Sequence, residues 1–379
     1  MASPLPEVRP QSRKATLGKL AELLENQGID LDEIGRINRV NAWQGFYKDA
    51  EGAAQTVDMV GVQFTPKWND GPLWPVLQPA PRVRLPSRKG AVGGTVLQSA
   101  VVLPDMQIGY FRLEDNDLTP THDEAAIAVA LDLVRAAKPA RVILVGDNLD
   151  LPELGRYRTS PAFQRTMQAA IDRAGLLCAQ LRDAAPAAEI VWIAGNHEER
   201  LPRWILDNAV AAFGLRRANT PDSWPVLSVP FLCNMDDYAV DYRAGYPASD
   251  YWINHRLRVI HGSLAKSGAS TASAYLDREK SSVIFGHTHR LEWAERTRRD
   301  HDGPRRILAM SPGCLARIDG AVPSTKQGLD LDGRPLVSHE DWQQGIAIIT
   351  HEEGDGAFWP ELIPIHDGRA FWRGKEYLA

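Results

Sequence analysis

Cysteine is scarce: three in 379 residues, Cys178, Cys233 and Cys314, widely spaced and odd in number. That excludes a disulfide framework and a paired-cysteine zinc site, and it points to a reducing compartment. Neither sign of charge dominates, since 43 Lys and Arg against 48 Asp and Glu leave a net charge of -5. No global field for nucleic acid or an anionic membrane follows from that balance, although a local basic channel stays open. Long hydrophobic runs are missing as well; none approaches the roughly 20 residues that cross a bilayer. The opening "MASPLPEVRPQSRK" lacks the apolar stretch of a secretion signal. The expectation is a soluble, cytoplasmic protein with no membrane partner. Two catalytic signatures are absent too. "GSLAKSGAS" lacks the spacing and the Gly-Lys pair of a phosphate-binding P-loop. No GxSxG elbow occurs, so serine-hydrolase chemistry is disfavoured.

What is present is ample apolar material, 44% of the chain, in a length that exceeds one typical domain. We read residues 1–95 as an accessory segment. It opens on a polar arm over 1–15. "TLGKLAELLENQGID" then carries Leu17, Leu20 and Leu24 at helical spacing up to Gly28. "DLDEIGRINRV" reads as a second short helix, with Asp30 and Glu33 set like a capping box. "AWQGFYKDAEGAAQTVDMVGVQFTP" reads as a hairpin around "DAEG". A linker containing Pro72, Pro75, Pro79, Pro81 and Pro86 follows. Residues 96–354 form the expected catalytic domain, with a specificity insertion at about 201–255, and residues 355–379 a tail packed on the core.

From residue 97 the texture changes. "TVLQSAVVLPD", "ARVILVGDN", "AEIVWIAGN", "LRVIHG" and "SSVIFGH" are short, β-branched apolar runs. Between the first three lie helical patterns, which argues for an α/β core. Continuous rather than alternating apolar runs imply strands covered on both faces. Each run ends in a polar cluster, and ligands in open α/β sheets gather beyond the carboxyl ends of strands.

Those clusters supply Asp105 with Gln107, then Asp147 and Asp150, then Asn196 and His197, then His261, then His287 and His289. Hard carboxylate and amide oxygens mixed with imidazoles suit a borderline divalent metal. The set is large enough for two ions if one carboxylate bridges them. Taken singly, Asp105 reads as a turn or cap residue and His261 as a satisfied buried side chain; as members of a spaced series they read as ligands. His122, His255, His301, His339, His351 and His366 have no partner in any block and read as structural or exposed. Cys314 reads as a turn-shaping residue.

In combination the blocks resemble the calcineurin-like metallophosphoesterase superfamily, whose pattern is DxH, GDxxD, GNH(D/E), a lone His after a strand, and GHxH. The resemblance spans about residues 97–350. It implies a four-layer sandwich of two mixed β-sheets flanked by helices, here with a small N-terminal α+β extension. It also implies a phosphoester hydrolase with two divalent ions, favouring Mn with Fe, Zn or Ni open. Carried over by position, Asp105, Asp147 and His289 would hold one ion. Asp147 would bridge to a second, completed by Asn196, His261 and His287. His197 would bind phosphate and act as general acid, with Asp150 orienting a ligand or His197. From its place in "GNHEER", Arg200 reads as a phosphate clamp or, more commonly, a surface residue, and with Asn196 it is a candidate substrate contact. A metal-bound hydroxide would attack in line. The sequence departs from the pattern at Gln107, which stands where the first block has histidine and offers only a neutral, weaker oxygen.

The substrate is less legible. "GDNLDLPELG" lacks the Arg-Gly pair of the family's protein phosphatases, which leaves a phosphodiester favoured. Alternatives are a degenerate non-catalytic metal-binding scaffold and a DNA repair-type exo- or endonuclease, since the superfamily's repair nucleases share the "GNHE" and "GHTH" blocks. The basic stretches "PRVRLPSRKG" and "ERTRRDHDGPRR" could track a phosphate backbone but read more readily as solvated loops. The long stretch between Asn196 and His261 holds Trp204, Trp224, Tyr238 and Tyr251, places where a substrate wall would be sought.

Overall fold

The computed structural model describes residues 22, 24–26, 28, 34–66, 97–112, 117–155, 161–301, 303–323, 336 and 339–379. The chain divides into two compact units, Met1–Trp74 and Pro75–Ala379. The polar arm and the proline-rich linker lie outside the described residues.

In the first unit, Glu22 and Leu24 to Asn26 are helical, and the turn closes where the Gly28 amide donates to the Glu25 carbonyl at 3.0 Å. The hairpin is present as β1 (Ile34–Lys48) and β2 (Ala54–Pro66), in register from Lys48↔Ala54 to Arg39↔Gln63, with two register shifts between there and Ile34↔Pro66. The Asp49 side chain ties its turn, accepting from the Ala53 amide at 2.8 Å. Residues 34–40, which the capping pattern assigns to a second helix, are strand. Ile34, Ile37 and Val40 are β-branched, and β2 supplies cross-strand backbone partners that a short helix would have to find within itself.

The second unit begins with β3 (Gln98–Leu103), the short pair β4 (Tyr110–Arg112) and β5 (Leu118–Pro120), and helix α1 (Glu124–Ala137). Then come β6 (Arg141–Leu144), α2 (Met167–Ala184), β7 (Glu189–Ile193), α3 (Arg200–Asn208), β8 (Val240–Arg243), β9 (Asp250–Asn254) and β10 (Leu257–Ile260). Helix α4 (Thr271–Arg278), β11 (Ser282–Phe285), β12 (Leu291–Asp300), β13 (Gly303–Pro312), β14 (Gly345–His351) and β15 (Phe358–Pro364) follow. The hairpin β16 (Arg369–Trp372) and β17 (Lys375–Leu378) closes the described chain. Two mixed sheets result. One has the order β15-β14-β3-β6-β7-β8, parallel from β3 to β8; the other has the order β12-β13-β11-β10-β9, parallel through β13, β11 and β10.

The apolar runs are continuous because each strand feeds two cores. Val101, Leu103, Val142, Leu144, Ile190 and Trp192 face α1 and α2 in one core. Their alternates Ala100, Val102, Ile143, Val145, Val191 and Ile193 meet Leu257, Val259, Ile284, Leu308 and Met310 between the sheets. Val283, Phe285, Ile307 and Ala309 turn the other way, onto Ala272, Tyr275 and Leu276 of α4. With a side-chain period of two, this gives four layers: helices, sheet, sheet, helix. Strands β8 and β9, inside the stretch read as an insertion, belong one to each sheet. The last hairpin buries Ala370, Trp372 and Tyr377 in the first core. Among the described residues no helix is long and apolar enough to cross a membrane.

Helix α1 is capped by Asp123, whose side chain accepts from the Ala126 amide at 3.0 Å. Its Glu124 takes a two-pronged bond from buried Arg173 of α2, 2.7 Å at each oxygen, and a contact from His122 at 2.8 Å. Burial works to raise the Glu124 pKa, but Arg173 and His122 outweigh it and hold the carboxyl well below its usual range. A depressed pKa contributes stability above the unfolded value, about 4.3, and that stability drains away as pH falls further. Glu124→Gln is expected to destabilise the fold at pH 7 by about 1 kcal/mol, because Arg173 loses a charge-assisted partner that solvent already screens on its exposed side. Thermal melts from pH 7 to pH 3 should show the gap to wild type narrowing as the pH drops.

Candidate metal centre

Five strands deliver the polar clusters to one end of the two sheets. Asp105 lies two residues beyond β3, Asp147 three beyond β6, Asn196 three beyond β7, His261 one beyond β10, and His287 and His289 two and four beyond β11. All five strands are parallel members of their sheets, so their carboxyl ends coincide.

The backbone there is bent in an unusual way. Asp105, Gln107, Asp147, His287 and His289 all have positive φ, between 25° and 68°. Such conformations cost on the order of 1–3 kcal/mol each and persist only where their surroundings over-determine them. Close backbone approach accompanies the bends. A Cβ on Gly286 would sit 2.5 Å from Asp105 Oδ2, and one on Gly195 would fall on Asp147. Neither position tolerates a side chain.

The bends bring two sets of donor atoms together, each set within 4.8 Å: Asp105, Asp147 and His289, and Asp147, His261 and His287. Asp147 belongs to both. His289 Nε2 is 3.2 Å from Asp105 Oδ1, and His261 Nε2 is 3.2 Å from Asp147 Oδ2. Asn196 Oδ1 lies 3.1 Å from the same His261 nitrogen. The donor set fits divalent ions: buried carboxylates, imidazoles and an amide oxygen within ligand reach of two common points. Gln107 points the same way. Its backbone amide donates to the Asp147 carbonyl at 2.9 Å, its side-chain nitrogen lies 3.4 Å from His289 Nε2, and its Oε1 is buried without a hydrogen-bond partner.

The tautomer of His261 follows from geometry. Nδ1 is 2.9 Å from the Val145 carbonyl, which can only accept, so Nδ1 carries hydrogen and Nε2 is the ligating nitrogen. Nε2 also faces acceptors, Asp147 Oδ2 and Asn196 Oδ1, which favour the charged ring. Burial opposes that charge, but Asp147 and Asp105 prevail and hold the His261 pKa up, at about 9. His287 moves oppositely, to about 4, through burial and the neighbouring His261 charge. Burial would raise Asp147, yet His197 and His261 keep it well below the carboxylate range.

Beside the two sets sits His197, whose Nε2 is 3.6 Å from Asp147 Oδ2. Its Nδ1 is 2.9 Å from Asp150 Oδ1. Arg200 bonds Asp150 Oδ1 at 3.2 Å and lies 3.0 Å from His197 Nε2. The structure therefore brings together every sequence-selected site residue. Of the candidate wall aromatics, Tyr238 and Tyr251 are buried in the cores. Trp224 packs edge-on to Tyr242, and Trp204 is exposed near Arg200.

One residue escaped sequence reading. Glu198 is buried and accepts from the amides of Asp147, Asn148, Leu149 and Gly195 at 2.8–3.2 Å, and from the Trp192 indole at 3.3 Å. It ties the loop after β6 to the loop after β7. Burial and the Asp147 charge push its pKa up, but five donors leave its oxygens no place for a proton. Its presence in the "GNHE" block was the available signal. The basic stretch "ERTRRDHDGPRR" forms the β12–β13 hairpin, whose tip lies at the opposite end of the sheet from the site. Arg296 pairs with Asp277, Arg306 with Glu295, and Arg298 bonds backbone carbonyls. "PRVRLPSRKG" lies outside the described residues.

The family model for calcineurin-like phosphoesterases matches residues 102–291. No curated protein matches the chain. Among solved structures, Yfce, a phosphoesterase from E. coli, is similar at 12% identity and a TM-score of 0.28, over 70% of this chain and 98% of its own.

Two outcomes follow for the site. Adding Mn²⁺ or Zn²⁺ to the metal-free protein at pH 7.5 should expel about one proton from His261, because its pKa near 9 keeps it charged there. Calorimetry in two buffers of different ionisation enthalpy reads that proton, and His261→Ala should abolish it. Glu198→Gln would turn an amide NH₂ toward backbone N–H donors, with loss of metal uptake and at least 2 kcal/mol of stability expected.

Proposed function

This chain belongs to the calcineurin-like phosphoesterase family and is a hydrolase acting on phosphoester bonds, and on that premise we propose that it cleaves phosphodiesters with two divalent ions, Mn²⁺ first among them. The observation that carries the reading is the pair of donor sets sharing Asp147. Asp105, Asp147 and His289 would hold one ion, with Gln107 oxygen as a neutral fourth donor. Asp147, Asn196, His261 and His287 would hold the other. Bound there, the ions supply charge cancellation at the phosphoryl oxygens and a water acidic enough to be ionised near neutral pH.

The remaining work falls to the chain's own side chains. With Nδ1 2.9 Å from Asp150 Oδ1, His197 has Nε2 in the region beside Asp147. We assign it contact with the phosphoester and proton donation to the departing oxygen. Asp150 fixes its ring, and Arg200, bonded to Asp150 and adjacent to His197, orients the pair while its guanidinium lies within reach of anionic oxygen. Asn196 would add an amide contact to substrate. Three buried, unpaired thiols favour a reducing, cytoplasmic setting.

A panel of monoester, diester, cyclic nucleotide, and single- and double-stranded DNA, run with and without Mn²⁺, tests the class of substrate. His197→Ala is expected to keep its metal content and lose about 10²–10⁴-fold in turnover. Loss of metal along with activity would contradict the role given to His197, and no metal-dependent hydrolysis of any member would sink the reading.

A further inference from the structure

A cavity of about 400 Å³ opens directly beside the metal centre. Arg200, Arg203, Trp204, Asp207 and Asn208 line it from one side, at the spacing of a single face of α3. The adjoining face of the same helix is anchored by buried Leu201 and Ile205. Asn196 forms the inner end, and Leu154 and Gly155 lie among the remaining lining residues. Arg200 reaches from this wall to His197 Nε2. An oxygen seated against His197 therefore carries its substituent past Arg200 and into the cavity.

The wall has a definite chemistry. Trp204 is 42% exposed, a flat apolar surface held on a helix and the one aromatic ring among the described lining residues. Arg203 has a 3.8 Å contact with Glu199 across an exposed i,i+4 pair, a weak restraint that an anion can displace. Arg200 is committed to Asp150, so Arg203, held only loosely by Glu199, is the wall's available cation, with Asp207 beside it. The volume lies in the lower part of the range for small-molecule sites, enough for one nucleoside-sized group.

We propose that this cavity takes the leaving group of the substrate, and that the group is a nucleoside whose planar base stacks on Trp204, with Arg203 at the rim beside its polar edge. The proposal rests on the phosphoesterase reading for the position of the phosphate. Trp204 is here a specificity-determining residue, outside the proton-transfer machinery.

The test is calorimetric titration, in the presence of Mn²⁺, of two probes: the 5′-phosphonate analogue of AMP and the matching ribose 5-phosphonate. Their carbon–phosphorus bonds keep turnover out of the measurement. Wild type should prefer the adenine-bearing probe. In Trp204→Ala that preference should fall about tenfold, the usual scale for losing one base-stacking ring, and Trp204→Phe should restore most of it. No preference in wild type, or one unchanged in Trp204→Ala, overturns the cavity assignment. Binding is read directly, so this result stands whether or not a phosphoester is turned over. Absence of turnover would count against the phosphoesterase reading alone.

Discussion

Four carboxylates, Asp105, Asp147, Asp150 and Glu198, are buried within one pocket, and the surrounding structure is organised around giving each of them donors. Isolated buried carboxylates are too costly to survive ionised, so each must be answered by donors or cations. Glu198 is answered by backbone amides, Asp150 by Arg200 and His197, Asp105 by the His287 amide at 2.9 Å and by His289. Asp147 is left facing three imidazoles that cannot all carry charge at once. The opposed pKa values of His261 and His287 express that conflict. Divalent cations would resolve it, so the acid-rich pocket and the left-handed backbone that shapes it belong to the same design.

The sheets make this arrangement possible. Because alternate residues of β3, β6 and β7 feed different cores, each strand is held from both faces and its end is placed without slack. A slip of one residue would exchange the two faces and move Asp105 or Asp147 out of the pocket. Rigidity in the layers thus becomes accuracy at the strand ends, where ligand distances leave little room for error.

Much of this was legible in the residues. Five apolar runs, each closing on a small residue and a polar cluster, specify strands covered on both sides and the place where their ends gather. Other parts were hidden for physical reasons. The Asp30 and Glu33 spacing imitates a helix cap, yet residues 34–40 are strand because β2, across the turn, offers backbone partners to Ile34, Ile37, Arg39 and Val40. Strands β8 and β9 are four and five residues long and carry charged or polar positions, so "VDYR" and "DYWIN" read as loop. Tyr238 and Tyr251, in the same stretch, fill cores, the commoner fate of such aromatics. Glu198 resembled one more acid beside Glu199 until the fold folded four amides around it. The cavity on α3 needs the helix's orientation, which no single-sequence periodicity supplies.

The order in which the strands are laid down has its own consequence. β14 lies beside β3, the first strand of its sheet, yet comes more than 240 residues after it. Until the ribosome has delivered residues 345–351, one flank of β3 has no neighbour, and the hydrophobic seam over α1 lacks Trp372 and Tyr377. The pocket's first ligand-bearing loop therefore hangs from an incomplete sheet throughout most of synthesis. A nascent chain of this kind is vulnerable to mispairing along that open flank, and it depends on late closure, or on helpers that shield the edge, to reach a working centre.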